Sequence, residues 1–486
     1  MLTIIKLSCL GKEALHISLI GSNNMTTYTE VATPADSYSN RLPKITKFNY
    51  GMGDFGNNIV WQMMAMFLPF FYTDVYGLNP IHAATMYLVL RVIDAITDPL
   101  VGMWVDRTRT KYGTCRPFIL YGTIPLAISF VMLFYVPQLD DTGMLIYAYV
   151  SYTLLTLTYT LVNVPFSAMA GFLSKDSDER TSLQSYRFGL GMLAGVFVAA
   201  TTLNLVEYLG GGDQQKGYLL TAIIFAVIIA ACLYYCFFTV VERYPIADFP
   251  KSEKNGLSEL YADIKTAFTN NQLVILFVAN IIFFITLTLK GTTTIYYVVN
   301  VLNTKDELTH FMTMGSIGAV AGAALSAWLW SRFDKVNAYK ILMFTCAVLT
   351  AIPYWLPPSA YVTILVLGIV TTFLWMSMIP LIWSMLSDVV DYQQSLSGKN
   401  MSGLFFALFL FSLKVGLGFG TAIVLWILGS TGYDAKANIQ LAEVVESINF
   451  ISTLLPGLLF VVAGIIMLFY TLDRASRAEI RKKLYR

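Results

Sequence analysis

The feature that most constrains this chain is its succession of apolar runs, each near the length of a bilayer's hydrocarbon layer. They lie near Phe48–Phe71, Ile81–Val105, Pro117–Val136, Met144–Leu173, Leu183–Leu205, Tyr218–Val241, Leu273–Val299, Leu308–Trp330, Tyr339–Leu356, Tyr361–Leu386, Gly403–Leu428 and Phe450–Tyr470. A helix needs about 20 mostly apolar residues to cross the hydrocarbon layer. Twelve such runs in 486 residues predict an all-α membrane protein of about twelve transmembrane helices. Composition agrees, since 13% of residues are charged, against roughly 25% in soluble domains. The Lys and Arg residues fall in short clusters between apolar runs, so no basic domain for nucleic acid is expected.

A polar stretch after the sixth run splits the chain. The reading is an N-terminal tail over 1–46, a six-helix bundle over 47–241, a central loop over 242–271, a second six-helix bundle over 272–471 and a basic tail over 472–486. In the central loop, Leu257, Leu260, Tyr261, Ile264 and Phe268 have helical spacing and predict an interfacial helix. Residues 1–24 are mildly apolar, carry Lys6, Lys12 and Glu13, and lack a cleavage signal, so they read as an upstream extension or misassigned start rather than a signal peptide. Arg41, Lys44 and Lys47, then Arg107, Arg109, Lys111 and Arg116, then the terminal cluster from Arg474 to Arg486, lie on one side of the predicted spans. The positive-inside rule places both termini in the cytoplasm. Short basic segments after the second span of each half, at Asp106–Arg109 and at 331–335, suggest an internal repeat of the major facilitator kind.

Ionisable residues at membrane depth cost about 2.5–3.5 kcal/mol on insertion scales and are functional candidates by default. The second span holds Arg91, Asp94 and Asp98 at spacings of three and four, so they share one helical face and must look inward. Two carboxylates one turn apart suit a small cation or a shared proton. In the fourth span Tyr159, Thr160 and Asn163 precede Pro165, and Thr160 and Asn163 share a face. Asn57, Asn58 and Trp61 in the first span, Arg187 in the fifth, Lys290 in the seventh, Trp375 in the tenth and Lys414 in the eleventh complete the polar inventory. Aromatic faces beside hydrogen-bonding groups suit a sugar. The five cysteines and three histidines have no metal-site spacing, and no nucleophile–base constellation points to an enzyme.

Several motifs resemble the glycoside-pentoside-hexuronide:cation symporter family, a melibiose permease-like branch of the major facilitator superfamily. They are Tyr50-Gly-Met-Gly-Asp54-Phe-Gly, Phe71-Tyr-Thr-Asp74-Val, Arg91-Val-Ile-Asp94-Ala-Ile-Thr-Asp98-Pro, Tyr112-Gly-Thr-Cys-Arg116-Pro-Phe and Asp388-Val-Val-Asp391-Tyr. The resemblance runs from about Lys47 to Tyr470 and implies a major facilitator fold of two six-helix bundles in a bacterial inner membrane. It implies a coupling site for Na+ or H+ at Asp94, Asp98 and Thr160, with Asn163 beside it, and a metal site for Na+ at Asp94 and Asp98. Sugar contacts would fall on Asn58, Tyr159, Asn163, Arg187 and Lys414, with Asn57, Trp61 and Ser167 neighbouring, and Arg91, Lys290 and Trp375 as further cavity residues.

The melibiose branch carries Asp where this chain has Asn58 and Asn163, which argues against galactoside recognition and leaves the coupling ion open. The segments around Tyr159, Arg187 and Lys414 look most like the xyloside transporter branch. The expected function is import of a xyloside or related glycoside by a monomeric carrier with no cofactor beyond its coupling ion. An acidic sugar is the alternative, suggested by Arg187, Lys290 and Lys414, as is an uncoupled facilitator or sensor.

Overall fold

In a computed structural model, residues 41–174, 176–244, 264–330, 333–398, 401–437 and 439–484 are described, together with three short segments near the N-terminus. Those segments are strands, β1 (Ile5–Cys9), β2 (Leu15–Leu19) and β3 (Thr27–Tyr28), in antiparallel order β1-β2-β3. They fall in the stretch that the sequence reading assigns to the N-terminal tail. The other named elements of the described chain are helices.

Hydrocarbon offers the backbone no hydrogen-bonding partner, so each crossing segment satisfies its amides internally as a helix. The first bundle contains α1 (Lys44–Gln62), α2 (Pro80–Arg107), α3 (Arg116–Leu133), α4 (Asp141–Leu173), α5 (Ser177–Gly210) and α6 (Gln214–Thr239). The second contains α7 (Asn271–Tyr296), α8 (Leu308–Trp330), α9 (Lys335–Ala351), α10 (Tyr361–Ser397), α11 (Ser402–Ser430) and α12 (Ala442–Leu468), the last including a π-helical turn. A short helix, α13 (Arg474–Leu484), follows. Helix α1 continues past Gln62 through π-helical turns at Met63–Phe67 and Phe71–Val75. Among the described residues, ten helices are long and apolar enough to cross a membrane by length and composition. The other two are α1, with Asp54, Asn57 and Asn58, and α2, with Arg91, Asp94 and Asp98.

Two seams join the bundles: α2 packs on α11, and α5 packs on α8. The second helix of each bundle thus meets the fifth of the other, as expected for two bundles related by an approximate two-fold axis. One continuous apolar core runs the length of the first bundle, from Leu42 and Leu173 to Phe71 and Tyr76, and away from the chain ends extends into the second through Tyr296, Leu302, Leu428 and Ile448. Toward the chain ends the second bundle has a separate core around Phe283, Tyr339, Met378 and Phe460. At the joined end, the Thr73 and Tyr296 hydroxyls lie 2.7 Å apart, and the Tyr433 hydroxyl donates to Asp74 Oδ1 at 2.6 Å.

Most of the expected interfacial helix lies outside the described residues, and only 264–268 are seen to be helical. The basic C-terminal tail has a structural role: Arg477 of α13 pairs with Asp334 and, at 3.6 Å, with Asp388, while Lys335 reaches Asp388 at 2.5 Å.

Candidate functional site

A two-lobed cavity lies between the bundles. Its smaller lobe, about 420 Å³, is lined mainly by the first bundle together with Leu413, Lys414 and Leu417 of α11. The larger lobe, about 610 Å³, is lined mainly by α7, α8 and α10. Trp61, Arg91, Phe188, Met376 and Leu417 belong to both walls, so the lobes adjoin.

The α2 face predicted from spacing borders the smaller lobe. Arg91 Nη1 lies 3.6 Å from Asp94 Oδ2. Thr160 Oγ1 of α4 reaches Asp98 Oδ1 at 3.2 Å and Asp94 Oδ1 at 3.4 Å. From across the seam, Lys414 Nζ lies 3.3 Å from Asp94 Oδ2 and bonds directly to Asp98 Oδ2. Two carboxylates therefore converge on one ammonium through one oxygen each, and the Thr160 hydroxyl faces their other oxygens. A hydroxyl proton can serve only one carboxylate at a time, while its lone pairs can ligate a cation. The donor set is hard oxygen, suited to a small cation. Among the described residues no group of three or more His, Cys, Asp or Glu side chains is placed to hold a metal ion.

Backbone features adapt the helices to this site. Pro99 in α2 and Pro165 in α4 remove the hydrogen bonds to the carbonyls of residues 95 and 161, loosening both helices beside the carboxylates. On α11, a Cβ at Gly418 would stand 2.6 Å from Arg91 Cγ, so the missing side chain makes room for the arginine stem.

A second ion pair lies on the other wall. Arg187 Nε donates to Asp54 Oδ1 at 2.8 Å, and Arg187 Nη2 donates to Ser167 Oγ at 2.9 Å. Asn58 Nδ2 donates to Asp54 Oδ2 at 2.9 Å. The guanidinium lies over the Phe166 ring at 5.3 Å. Trp61 and Tyr159 stack with ring centroids 6.5 Å apart, and Arg91 lies 5.8 Å over the Trp61 ring. These rings and amides give the smaller lobe apolar faces and fixed hydrogen-bonding groups together.

The cavity thus gathers Asn58, Trp61, Arg91, Asp94, Asp98, Tyr159, Thr160, Asn163, Arg187 and Lys414 at the smaller lobe, with Lys290 and Trp375 in the larger. Two expected contacts sit elsewhere. Asn57 is buried outside both linings, because one residue along α1 turns it about 100° away from Asn58. Ser167 lies behind Arg187 and holds that side chain rather than lining the wall. Asp54 was overlooked as a site residue, although it is a carboxylate within a predicted span and one turn before Asn58. The rule that singled out Asp94 and Asp98 applies equally to it.

Two six-helix bundles around a charged central cavity define a secondary transporter of the major facilitator class. The model of the family described as MFS/sugar transport protein matches residues 49–474, and the chain belongs to this family, the glycoside-pentoside-hexuronide:cation symporters. The chain is 38% identical to YagG of Escherichia coli over 438 residues, covering 90% of this chain and 94% of that one. It is 28% identical to the isoprimeverose transporter of Lactiplantibacillus pentosus, covering 93% and 95%. The crystal structure of the nucleoside transporter NupG superposes with a TM-score of 0.63 at 12% identity, covering 88% and 100%, a likeness of fold alone. The protein is therefore a multi-pass membrane transporter, not an enzyme, of a family that handles sugars.

Proposed function

We propose that this protein is a monomeric symporter that imports a xyloside or related glycoside across a bacterial inner membrane, with both termini cytoplasmic. Import is coupled to Na+ or H+ at Asp94 and Asp98. The observation that carries the reading is the convergence of Asp94 and Asp98 on Lys414 across the α2–α11 seam, with Thr160 on the other oxygen of each carboxylate. A cation at the carboxylates competes with the ammonium for the same oxygens. Released, Lys414 can turn to a substrate hydroxyl in the adjoining lobe, whose wall includes Asn58, Asn163 and the Trp61–Tyr159 stack. Cation and sugar then favour each other's binding, and this linkage is reciprocal.

With the termini in the cytoplasm, the joined end of the bundles is external and the separate cores lie inside, consistent with a carrier facing inward. Alternating access then requires the Thr73–Tyr296 and Asp74–Tyr433 contacts to part.

Reconstituted protein should accumulate a radiolabelled xyloside against its gradient when Na+, or a pH difference, is imposed inward. Calorimetry should show tighter sugar binding with the coupling ion present. Equilibration without accumulation under both gradients would replace symport with facilitated diffusion. Identical sugar affinity with and without Na+, and at pH 5.5 and 8, would refute the coupling.

A further inference from the structure

The charges around the cavity are unevenly matched. Its linings contain Asp54, Asp94 and Asp98 against Arg91, Arg187, Lys290 and Lys414. Arg187 pairs with Asp54, while Arg91 and Lys414 pair with Asp94 and Asp98. Lys290 is left over. Its ammonium has no hydrogen bond or ion pair within the described residues, although its backbone carbonyl accepts from Thr293 and Thr294. An unmatched ammonium in a largely apolar wall at membrane depth is costly to keep.

Other groups in the same lobe also lack partners. Trp375 Nε1, Thr288 Oγ1 and Ser452 Oγ are buried atoms without hydrogen bonds. Ser452 itself is 4% exposed. An indole N–H can only donate, an ammonium can only donate, and hydroxyls can do so. The lining therefore holds one unmatched ammonium, further unpartnered donors buried within its wall and no carboxylate, between apolar surfaces such as Phe284, Phe311 and Trp383. Such a site suits an acceptor-rich, negatively charged group carried on an apolar or ring-shaped body.

We propose that the larger lobe is a second subsite for the distal part of the substrate, and that Lys290 pairs there with an oxyanion, a carboxylate or sulfonate. The inference rests on the reading of the smaller lobe as the sugar site. The glycosyl ring occupies the smaller lobe, and the distal group extends into the larger one past side chains common to both walls, Trp61 and Met376 among them. Lys290 becomes a specificity residue that favours anionic glycosides over neutral ones of the same shape. It lies on α7, away from the carboxylates of the coupling site, so its effect should separate from coupling.

The test is calorimetric binding of phenyl, 4-carboxyphenyl and 4-sulfophenyl β-D-xylopyranosides to the full-length protein in detergent, with the coupling ion present. The wild type should bind at least one anionic glycoside about tenfold or more tightly than the phenyl glycoside, as expected for a charge-assisted contact. Comparing the carboxylate with the sulfonate tells which oxyanion fits. Lys290→Met should abolish that preference while keeping phenyl xyloside affinity, and Lys290→Gln provides the same comparison if the Met variant does not fold. Equal affinities in the wild type, or an anion preference that survives both substitutions, would overturn the proposal. Binding of the phenyl glycoside without anion preference defeats only the Lys290 inference, whereas binding of none of the three defeats the underlying sugar reading as well.

Discussion

Replacing Arg187 with Met would leave the Asp54 carboxylate, whose side chain is 5% exposed, without its cationic partner. Breaking a buried pair by removing one member costs about 3–5 kcal/mol, because the other charge stays behind desolvated. Asn58 still donates to Asp54 Oδ2 at 2.9 Å, so the lower part of that range, about 3 kcal/mol, is expected. In a cooperative unit of about 150–250 residues each kcal/mol moves Tm by about 2–4 °C, so Arg187→Met should melt about 6–12 °C lower. The double variant Asp54→Asn with Arg187→Met removes both charges and leaves an amide oxygen at position 54 to accept from Asn58. It should recover most of the loss, giving a coupling energy of about 2 kcal/mol. Thermal unfolding in detergent, followed by tryptophan fluorescence for the wild type, both single variants and the double, completes the cycle. A melting point for Arg187→Met within 2 °C of wild type (about 1 kcal/mol or less), or losses that simply add in the double variant, would refute the account of this pair.

Asp98→Asn should abolish uphill accumulation while the protein still inserts in the membrane; wild-type accumulation by that variant would remove Asp98 from the coupling mechanism. Gly416 and Gly420 lie one turn apart on α11, and a Cβ at Gly420 would stand 2.7 Å from the Ile285 carbonyl oxygen of α7. Gly420→Ala should therefore separate these helices at a cost of about 1–3 kcal/mol, read as a lowered Tm, and an unchanged Tm would show that α7 yields. Tyr433→Phe removes a hydrogen bond to a carboxylate at the joined end of the bundles. It should shift the population toward the state open at that end by about tenfold. Spin labels at Gln214 and Asp306 should report the shift as a longer distance component, and an unchanged distribution would exclude this contact from the closure.

The helical bundles were legible because a membrane span needs apolar length, and apolar length can be read without knowing any neighbour. The inward face of α2 was legible for a related reason: Arg91, Asp94 and Asp98 are too polar for lipid, and their spacing fixes one side of a helix. Sequence leaves pairing between helices distant along the chain open: it offers Lys414 an Asp of the second span, Asn163 or a substrate hydroxyl as partners without choosing among them. Lys414 sits on the Asp94 and Asp98 carboxylates from another bundle, and Arg187 reaches Asp54 across 133 positions. Asn57 and Asn58 are adjacent in sequence, yet only Asn58 lines the cavity, since a step of one residue turns a helix by about 100°. The extended helices, such as α10 continuing to Ser397, were foreshortened because their ends are polar and hydropathy stops before the hydrogen bonds do.

The Lys414 contact carries the sharpest consequence of the coupling scheme. The set Arg91, Lys414, Asp94 and Asp98 holds two positive and two negative charges, so it is balanced without any ion. Adding a cation to the carboxylates leaves an excess charge in a medium of low polarity, where like charges repel strongly. The ammonium is the group on a flexible stem, and it enters from the opposite bundle, so it is the group that moves. If its destination is the sugar, the two ligands are linked through Lys414, and neither should bind at full strength alone. Lys414→Met then has opposite effects on two quantities usually lost together. Cation affinity should be retained or increased, because the competing ammonium is gone, while the ratio of sugar affinities with and without the cation should fall toward one. Titrating Na+ and protons into the variant with and without a xyloside separates these outcomes. Loss of cation binding would make Lys414 a support for the carboxylates rather than their competitor, and an undiminished sugar–cation linkage would place the coupling elsewhere.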